Sequence, residues 1–488
     1  MIEKGKLSEI VGAGNVSYEQ PVLDEYSRDI SFVNKVRPTC VVKPANSQEI
    51  QKIVSLANET LTPLVPVSSG PPHFRGDTVP SLGGSVIVDM SRMKKIMRID
   101  AEHRVCMVEP GVTFGELILA VEKEGIRLNM PLLPRKTKTV IGSMLDREPV
   151  IMPKYQWDIS DPLACIEVVF GSGDFLRTGQ SAGPGTIEQQ WAAGGSQKAP
   201  YGPGAAMWYR IVQGSQGTMG IVTWASLRCE LLPSLEEPLV IGSSEPEKLF
   251  EVVHWLIRWR LVNECFIMNK VTLATMMVQK WPQDYQNLLK VLPPWVLFFN
   301  LAGYDYFPEE RIRSQMKGVT NITNRVGVEA VKALGGISAG EILKLVKQPS
   351  EEPYWKLRSK GGSQDIYFLT TYDKVKTLVS TMYATADNYA YPASEVGIYL
   401  QPIVQGVNLH CEFNLPYDPG NSDEAARVKE LTSTAIKNLI NQGAFFSRPG
   451  VESAREIINR DAAYVAALTK VKGILDPNKI MNPGKLCF

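Results

Sequence analysis

Leu64-Val-Pro-Val-Ser-Ser-Gly-Pro-Pro-His-Phe-Arg-Gly76 opens as a short apolar run and turns into a loop of serine, glycine and proline. The run predicts a strand at Leu64 to Val67. The loop lets backbone approach a ligand closely, because glycine permits φ > 0 and successive amide N–H groups form an anion-binding nest. Upstream, Thr39-Cys-Val-Val-Lys-Pro44 predicts another strand. Between them, Ser47 to Leu61 predicts a helix capped by Ser47, with Glu49 in its first turn and Ile50, Ile53, Val54 and Ala57 on one face. Downstream, Ser85 to Met90 and Val105 to Glu109 predict strands, and Thr113-Phe-Gly-Glu116 has the spacing of a capping box, opening a helix to about Glu124. Ala164 to Phe170 and Phe175 to Thr178 flank Gly171-Ser-Gly-Asp174, a hairpin signal, and Gly220 to Leu232 predicts a further strand. Crossovers mixed with antiparallel pairing predict an α+β fold of at least two layers.

A second domain is expected from about residue 237. Ser243-Ser244 precedes a helix with Leu249, Val252, Val253, Leu256 and Ile257 at helical spacing. Strands are expected near 365–372 and 396–415, and a helix from Ala425 to Asn441. At 488 residues, the chain has room for about two to four domains of roughly 100–200 residues. Lys+Arg number 52 and Asp+Glu 51, a net charge of +1 that gives no bulk attraction to nucleic acid or anionic membrane. The seven cysteines are odd in number and none forms a C-x-x-C pair, which argues against a disulfide framework or a structural zinc site. The first residues given, Met1 to Gly12, lack the apolar run expected of a secretory signal, and no stretch reaches the roughly 18–20 apolar residues of a membrane span; the best candidate, Val291 to Gly303, is short and broken by Pro293-Pro294. These features predict a cytoplasmic protein with no membrane span.

Several chemistries lack their signatures. There is no G-x-G-x-x-G, no P-loop and no H-E-x-x-H, and the four histidines (His73, His103, His254 and His410) make a histidine-rich metal site unexpected. Gly179-Gln-Ser181-Ala-Gly183 fits the nucleophile elbow of hydrolases, but Pro184 follows at once and argues for a loop. The Gly70 loop and Gly214-Ser-Gln-Gly-Thr-Met-Gly220 each lie beside a strand, and each reads either as a tight turn or as a nest for an anion such as a diphosphate.

Taken in order, several segments resemble flavoproteins of the vanillyl-alcohol oxidase and p-cresol methylhydroxylase (PCMH) superfamily. They are Val65 to Gly70, Gly84 to Met90, Met93 to Asp100, Val108 to Glu116, Ile141-Gly-Ser-Met-Leu-Asp-Arg147, Ile166 to Gly179, Tyr201-Gly-Pro203, Gly214 to Thr223 and the tail Gly473 to Lys485. The resemblance covers about residues 35–235 well and 400–488 in part. It implies an FAD-binding domain of two α+β subdomains (1–236), a cap built on an antiparallel sheet with flanking helices (237–430), and a C-terminal segment that completes the FAD site (431–488).

By position, the resemblance implies that Ser68, Ser69, Gly70, His73 and Phe74 hold the diphosphate. Ile141, Gly142, Ser143 and Arg147 would line the flavin, and Gly217, Gly220, Ile221 and Val222 the adenine and ribose side. Asn482 and Lys485 would approach the ring from the tail. Pro71-Pro72 departs from the family loop and removes two N–H donors, for which His73 and Arg75 are expected to compensate.

The implied activity is hydride transfer from an alcohol or activated C–H of a small, aromatic or phenolic substrate to flavin N5. Arg448, in Phe446-Ser447-Arg448, matches the arginine that pairs with a phenolate, with Ser447 where the family has tyrosine. His410, Glu412 and Asn414 share one face of a cap strand. The family's acid falls on Gln156, so Asp158 or His410 is the candidate base. Tyr389 falls near the position of a flavin-linking tyrosine. A related branch oxidises 2-hydroxy acids with a metal motif, H-x-G-D-G-N-x-H; here Ile403-Val-Gln-Gly-Val-Asn-Leu-His410 keeps only the Asn-Leu-His end, so no metal site is expected. A non-catalytic flavin-bearing subunit is the third reading. The partners implied are a small-molecule substrate and either oxygen or a protein electron acceptor, with self-association left open.

Overall fold

The computed structural model describes residues 2–153, 162–203, 206–278 and 280–488. Three principal sheets organise the chain. The first is built from short, apolar strands in the order Val16–Ser17, Cys40–Val42, Val86–Asp89, Leu64–Val67. Its last three strands are parallel. The crossover is the Ser47–Thr60 helix, which buries Ile50, Ile53, Val54, Leu56 and Ala57. Its cap is Asn46 rather than Ser47: the Asn46 side chain accepts the Glu49 N–H at 2.9 Å, which makes Ser47 the first helical residue.

The second sheet is antiparallel, in the order Ile96–Asp100, Val105–Val108, Gly220–Leu231, Leu163–Phe170, Phe175–Arg177, with Ile126–Leu128 also paired to Gly220–Leu231. The Phe170–Phe175 hairpin forms as expected, with Gly173 at φ +90°. The capping box at Thr113 and Glu116 opens the Phe114–Glu122 helix, which covers this sheet with Phe114, Leu117, Ile118 and Val121.

The second sheet ends at Leu231 and the third begins at Leu235. The third has six antiparallel strands in the order Leu235–Ser243, Trp295–Gly303, Cys265–Asn269, Gly397–Ile403, Asn408–Tyr417, Gly362–Thr370. The apolar run from Val291 to Gly303 supplies its buried Trp295–Gly303 strand. No helix among the described residues is long and apolar enough to cross a membrane. Helices Pro246–Arg258, Pro308–Val326, Val375–Asn388 and Ser422–Asn441 cover the outer face with an aliphatic core. His254 is exposed on the first of these helices.

The last segment returns to the start of the chain. After helix Ala462–Leu475, Met481 pairs with Leu64, and the Asn482 N–H donates to the Leu64 carbonyl at 2.8 Å. The second and third sheets are joined by a buried ion pair between Arg127 and Glu264, with Asn300 donating to Glu264 at 2.8 Å. Ser181 is fully buried and donates to the Thr178 carbonyl at 2.6 Å, so the hydrolase-like pentapeptide is a packed 3₁₀ turn.

Candidate active site and cofactor cleft

The Gly70 loop, the turn after Thr139 and the Gly214–Gly220 segment converge on one cleft of about 460 Å³, closed from the other side by the third sheet. That volume lies within the usual range of about 300–1,000 Å³ for small-molecule sites. Ser68, Ser69, His73, Phe74, Ile141, Gly142, Gly217, Gly220, Ile221, Val222 and Arg448 all line it. A second, smaller cavity of about 90 Å³ is lined by Arg147, His410, Leu369 and Ile403, and Arg448 lines both.

Four expected contact residues stand behind the wall. The Gly70 N–H donates to the Thr137 carbonyl at 3.1 Å, and Ser143 Oγ donates to Glu148 at 2.6 Å. Asn482 Nδ2 donates to the carbonyls of Asp77 (2.9 Å) and Gln216 (2.7 Å). Lys485 Nζ donates to those of Gly76 (2.8 Å) and Val79 (2.7 Å). The expectation that the tail side chains reach the ring is thus corrected: they clamp the loops that line the cleft. Asp158 and Gln156 lie outside the described residues. Tyr389 lines neither cavity; its hydroxyl pairs with Thr434 at 2.6 Å on the far side of the third sheet.

Charge is concentrated where the turn meets the loop. Asp146 pairs with Arg75 (3.1 Å) and Lys138 (2.6 Å), and Lys138 also pairs with Glu148 (3.2 Å). Burial pushes the Asp146 carboxyl up, but Lys138 and Arg75 outweigh it and bring it down to about 2. His73 is lowered to about 3, by burial first and then by Arg135 and Lys138. It is therefore neutral and adds no charge to replace the two missing N–H donors, against expectation.

The cap wall carries the residues that sequence reasoning missed. Register pairs Tyr367 with Glu412 and Leu369 with His410, and Gln401 with His410 on the other side. Tyr354, Tyr367 and Tyr399 all line the cleft. Lys356 bridges Asp365 and Glu412, and Asn414 donates to both carboxylates, at 2.8 Å and 2.7 Å. His410 Nε2 lies 3.2 Å from Glu412, with the Tyr367 and Tyr399 rings at 6.0 Å and 5.9 Å. Burial pulls the His410 pKa down, only partly offset by Glu412, so the ring is neutral. Glu412 is the mirror case: burial raises it, Lys356 and His410 outweigh that, and it stays ionised. The Arg448 guanidinium lies 4.4 Å from the Tyr367 ring centroid, and no carboxylate among the described residues is within ion-pair distance of it.

The residues present fit a dinucleotide. A Cβ on Gly142 would lie 2.8 Å from Thr139 Oγ1, 3.1 Å from Ser68 Oγ and 3.2 Å from Ser69 Oγ, so the turn and the loop meet only because this position has no side chain. Gly217, at φ +71°, is equally required, since its Cβ would strike Pro66 Cγ at 2.4 Å. Two atoms on cleft-lining residues, Arg75 Nε and Gln216 Oε1, are buried without a hydrogen-bond partner, as befits groups that receive a polar ligand. Gly142→Ala should fold, because its helical backbone suits alanine. It should weaken FAD binding roughly tenfold or more, since overpacking costs about 1–3 kcal/mol; titration of the apoprotein with FAD checks this.

Comparison with known proteins agrees with this arrangement. Residues 38–179 match the model of the FAD binding domain family. The chain is 22% identical over 514 residues to the 4-cresol dehydrogenase [hydroxylating] flavoprotein subunit of Pseudomonas putida, covering 98% of this chain and 94% of that protein. It is 23% identical over 491 residues to glycolate oxidase subunit GlcD of Bacillus subtilis (strain 168), covering 99% and 96%. In fold it matches a crystal structure of p-cresol methylhydroxylase with substrate bound, at a TM-score of 0.83 and 20% identity over 99% of this chain and 96% of that one. The chain is an FAD-linked oxidoreductase. It carries a PCMH-type FAD binding domain and is homologous to the p-cresol methylhydroxylase flavoprotein subunit.

Proposed function

We propose that this oxidoreductase acts on a small aromatic, phenolic substrate, held as its phenolate by Arg448 between the two cavities. The observation that carries the reading is a cleft-lining guanidinium without a carboxylate partner, beside a wall of three tyrosines. Bound FAD supplies the two-electron acceptor for a substrate hydride. The residues of the chain do the rest. Tyr354, Tyr367 and Tyr399 pack the substrate ring and exclude water. Arg448 stabilises negative charge on the substrate oxygen. His410, neutral and held through Nε2 by Glu412, keeps Nδ1 as the nitrogen that takes a proton.

The same reading assigns FAD binding to Ser68, Ser69, Phe74, Ile141, Gly142, Gly217, Gly220, Ile221 and Val222 along the cleft. The division into an FAD-binding domain (1–236), a cap (237–430) and a completing segment (431–488) follows from it. The cresol relative is described as a flavoprotein subunit, which supports a protein electron acceptor after FAD.

The competing substrate class is the 2-hydroxy acids, supported by the likeness to the glycolate oxidase subunit. Ile403 lines the small cavity with His410 where that chemistry would need a second histidine, and no group of three His, Cys, Asp or Glu among the described residues is placed to hold a metal. Anaerobic mixing of the holoprotein with alkylphenols, aromatic alcohols and 2-hydroxy acids decides. Bleaching of the FAD absorbance by phenols alone supports the proposal; bleaching by hydroxy acids alone overturns it.

A further inference from the structure

The geometry points to Arg135 as the side chain that grips the diphosphate of bound FAD, replacing the backbone donors that the Pro71–Pro72 loop lacks. The nest expected there lacks three of its backbone donors. Pro71 and Pro72 have no N–H, and the Gly70 N–H is already committed to Thr137. Ser68 Oγ and Ser69 Oγ both contact Thr139 Oγ1, at 3.0 Å and 3.1 Å. A diphosphate entering this loop meets fewer backbone donors than a full nest would offer, and a cation beside the loop makes up the difference.

Three cations line this part of the cleft, and two of them already hold carboxylates, although Arg75 keeps its Nε free. Arg75 is paired with Asp146, and Lys138 with Asp146 and Glu148. No carboxylate among the described residues lies within ion-pair distance of Arg135. Its Nη1 donates to the carbonyl of Gly70, the loop residue itself, at 3.0 Å, and its guanidinium carbon lies 5.5 Å from the Phe74 ring centroid. That single bond uses one of five N–H donors in a planar fork suited to phosphate oxygens.

The residue is 8% exposed, and a charge buried to that extent without a counter-ion is costly. Burial holds its pKa below the usual arginine value, and the charges of Glu148 and Asp146 nearby do not make up the difference. An anion at Arg135 removes this mismatch.

The test uses the full chain stripped of FAD and three probes: FAD, ADP (a diphosphate without a flavin) and riboflavin (a flavin without a phosphate). Arg135→Gln should raise the Kd for FAD and for ADP by about ten- to a hundred-fold, as expected for a lost hydrogen bond to a charged group, and leave that for riboflavin unchanged. Unchanged FAD affinity overturns the proposal, and so does a riboflavin loss equal to the FAD loss, which would put Arg135 against the ring. Should Arg135→Gln fail to fold, Arg135→Lys keeps the charge without the fork. It should weaken FAD and ADP less severely and spare riboflavin; equal losses for FAD and riboflavin overturn the proposal again.

Discussion

Arg448→Ala should slow anaerobic reduction of the FAD by a phenolic substrate roughly 10²–10³-fold, the cost of removing one well-placed donor to developing charge. Arg448 is 7% exposed, and among the described residues its guanidinium makes one hydrogen bond, a long one of 3.5 Å from Nη1 to the Asp146 carbonyl. Its fork therefore remains available to a substrate. A phenol titrates near pH 10 in water, so under the proposed function a buried guanidinium would be what lets the phenolate bind at neutral pH. Arg448→Lys keeps the charge but not the planar fork, and should recover only part of the rate. The visible spectrum reports whether FAD is retained, which separates a catalytic loss from a cofactor loss. A reduction rate within about twofold of the wild type in the flavin-loaded alanine variant removes Arg448 from the mechanism.

Lys356→Met should have the largest effect on stability. Lys356 is 9% exposed and holds both Asp365 and Glu412. Burial alone would lower its pKa, but Asp365 and Glu412 hold it well above the usual lysine value, so the ammonium is present throughout the neutral range. Removing one partner of a buried ionic group typically costs about 3–5 kcal/mol, because the others stay buried and uncompensated.

The sign of the pH dependence follows. With Lys356 intact, Glu412 is depressed below its ordinary pKa, and its stabilisation is present above that value and lost as pH falls through the depressed one. In the methionine variant the carboxylates should be raised instead. The deficit should then be greatest near neutral pH and narrow as pH falls toward about 4, the unfolded carboxylate range. Denaturant titrations at several pH values measure this.

The same substitution reaches His410. Lys356 and Arg448 oppose a proton on that ring, while Glu412 favours it. Without Lys356 the histidine should protonate at higher pH, moving the acid limb of the flavin-reduction profile up. Lys356→Arg should restore its position. An unmoved limb in a folded, flavin-loaded methionine variant would show that Lys356 has no influence on the base.

The parts legible in the sequence were those written locally. The apolar run into Ser68-Ser69-Gly70, the capping box at Thr113 and the Gly171–Asp174 hairpin each specify their geometry within a few residues, and all three formed. Alternation put His410, Glu412 and Asn414 on one face, and the hydrogen bonds among them bear that out. Alternation does not say which strand lies alongside. Tyr367 and Asp365 reach this cluster through the register of the Gly362–Thr370 strand, and Lys356 from a turn before it, so none could be named from spacing. The tail motif marks a segment that packs beside the cleft-lining loops, but a motif does not tell which way a lysine points, and Lys485 points at backbone carbonyls.

Lys485 fastens Gly76 and Val79, which precede it by 409 and 406 residues. At synthesis rates of about 5–20 residues per second, the loop waits roughly 20–80 s for its fastener. Once residue 222 has been made, the nascent polypeptide holds the cleft-lining residues proposed to meet the nucleotide but not the brace that fixes their loop. Late fastening predicts that chains truncated before residue 485 hold FAD more weakly than the full chain; undiminished affinity would show that the brace is dispensable.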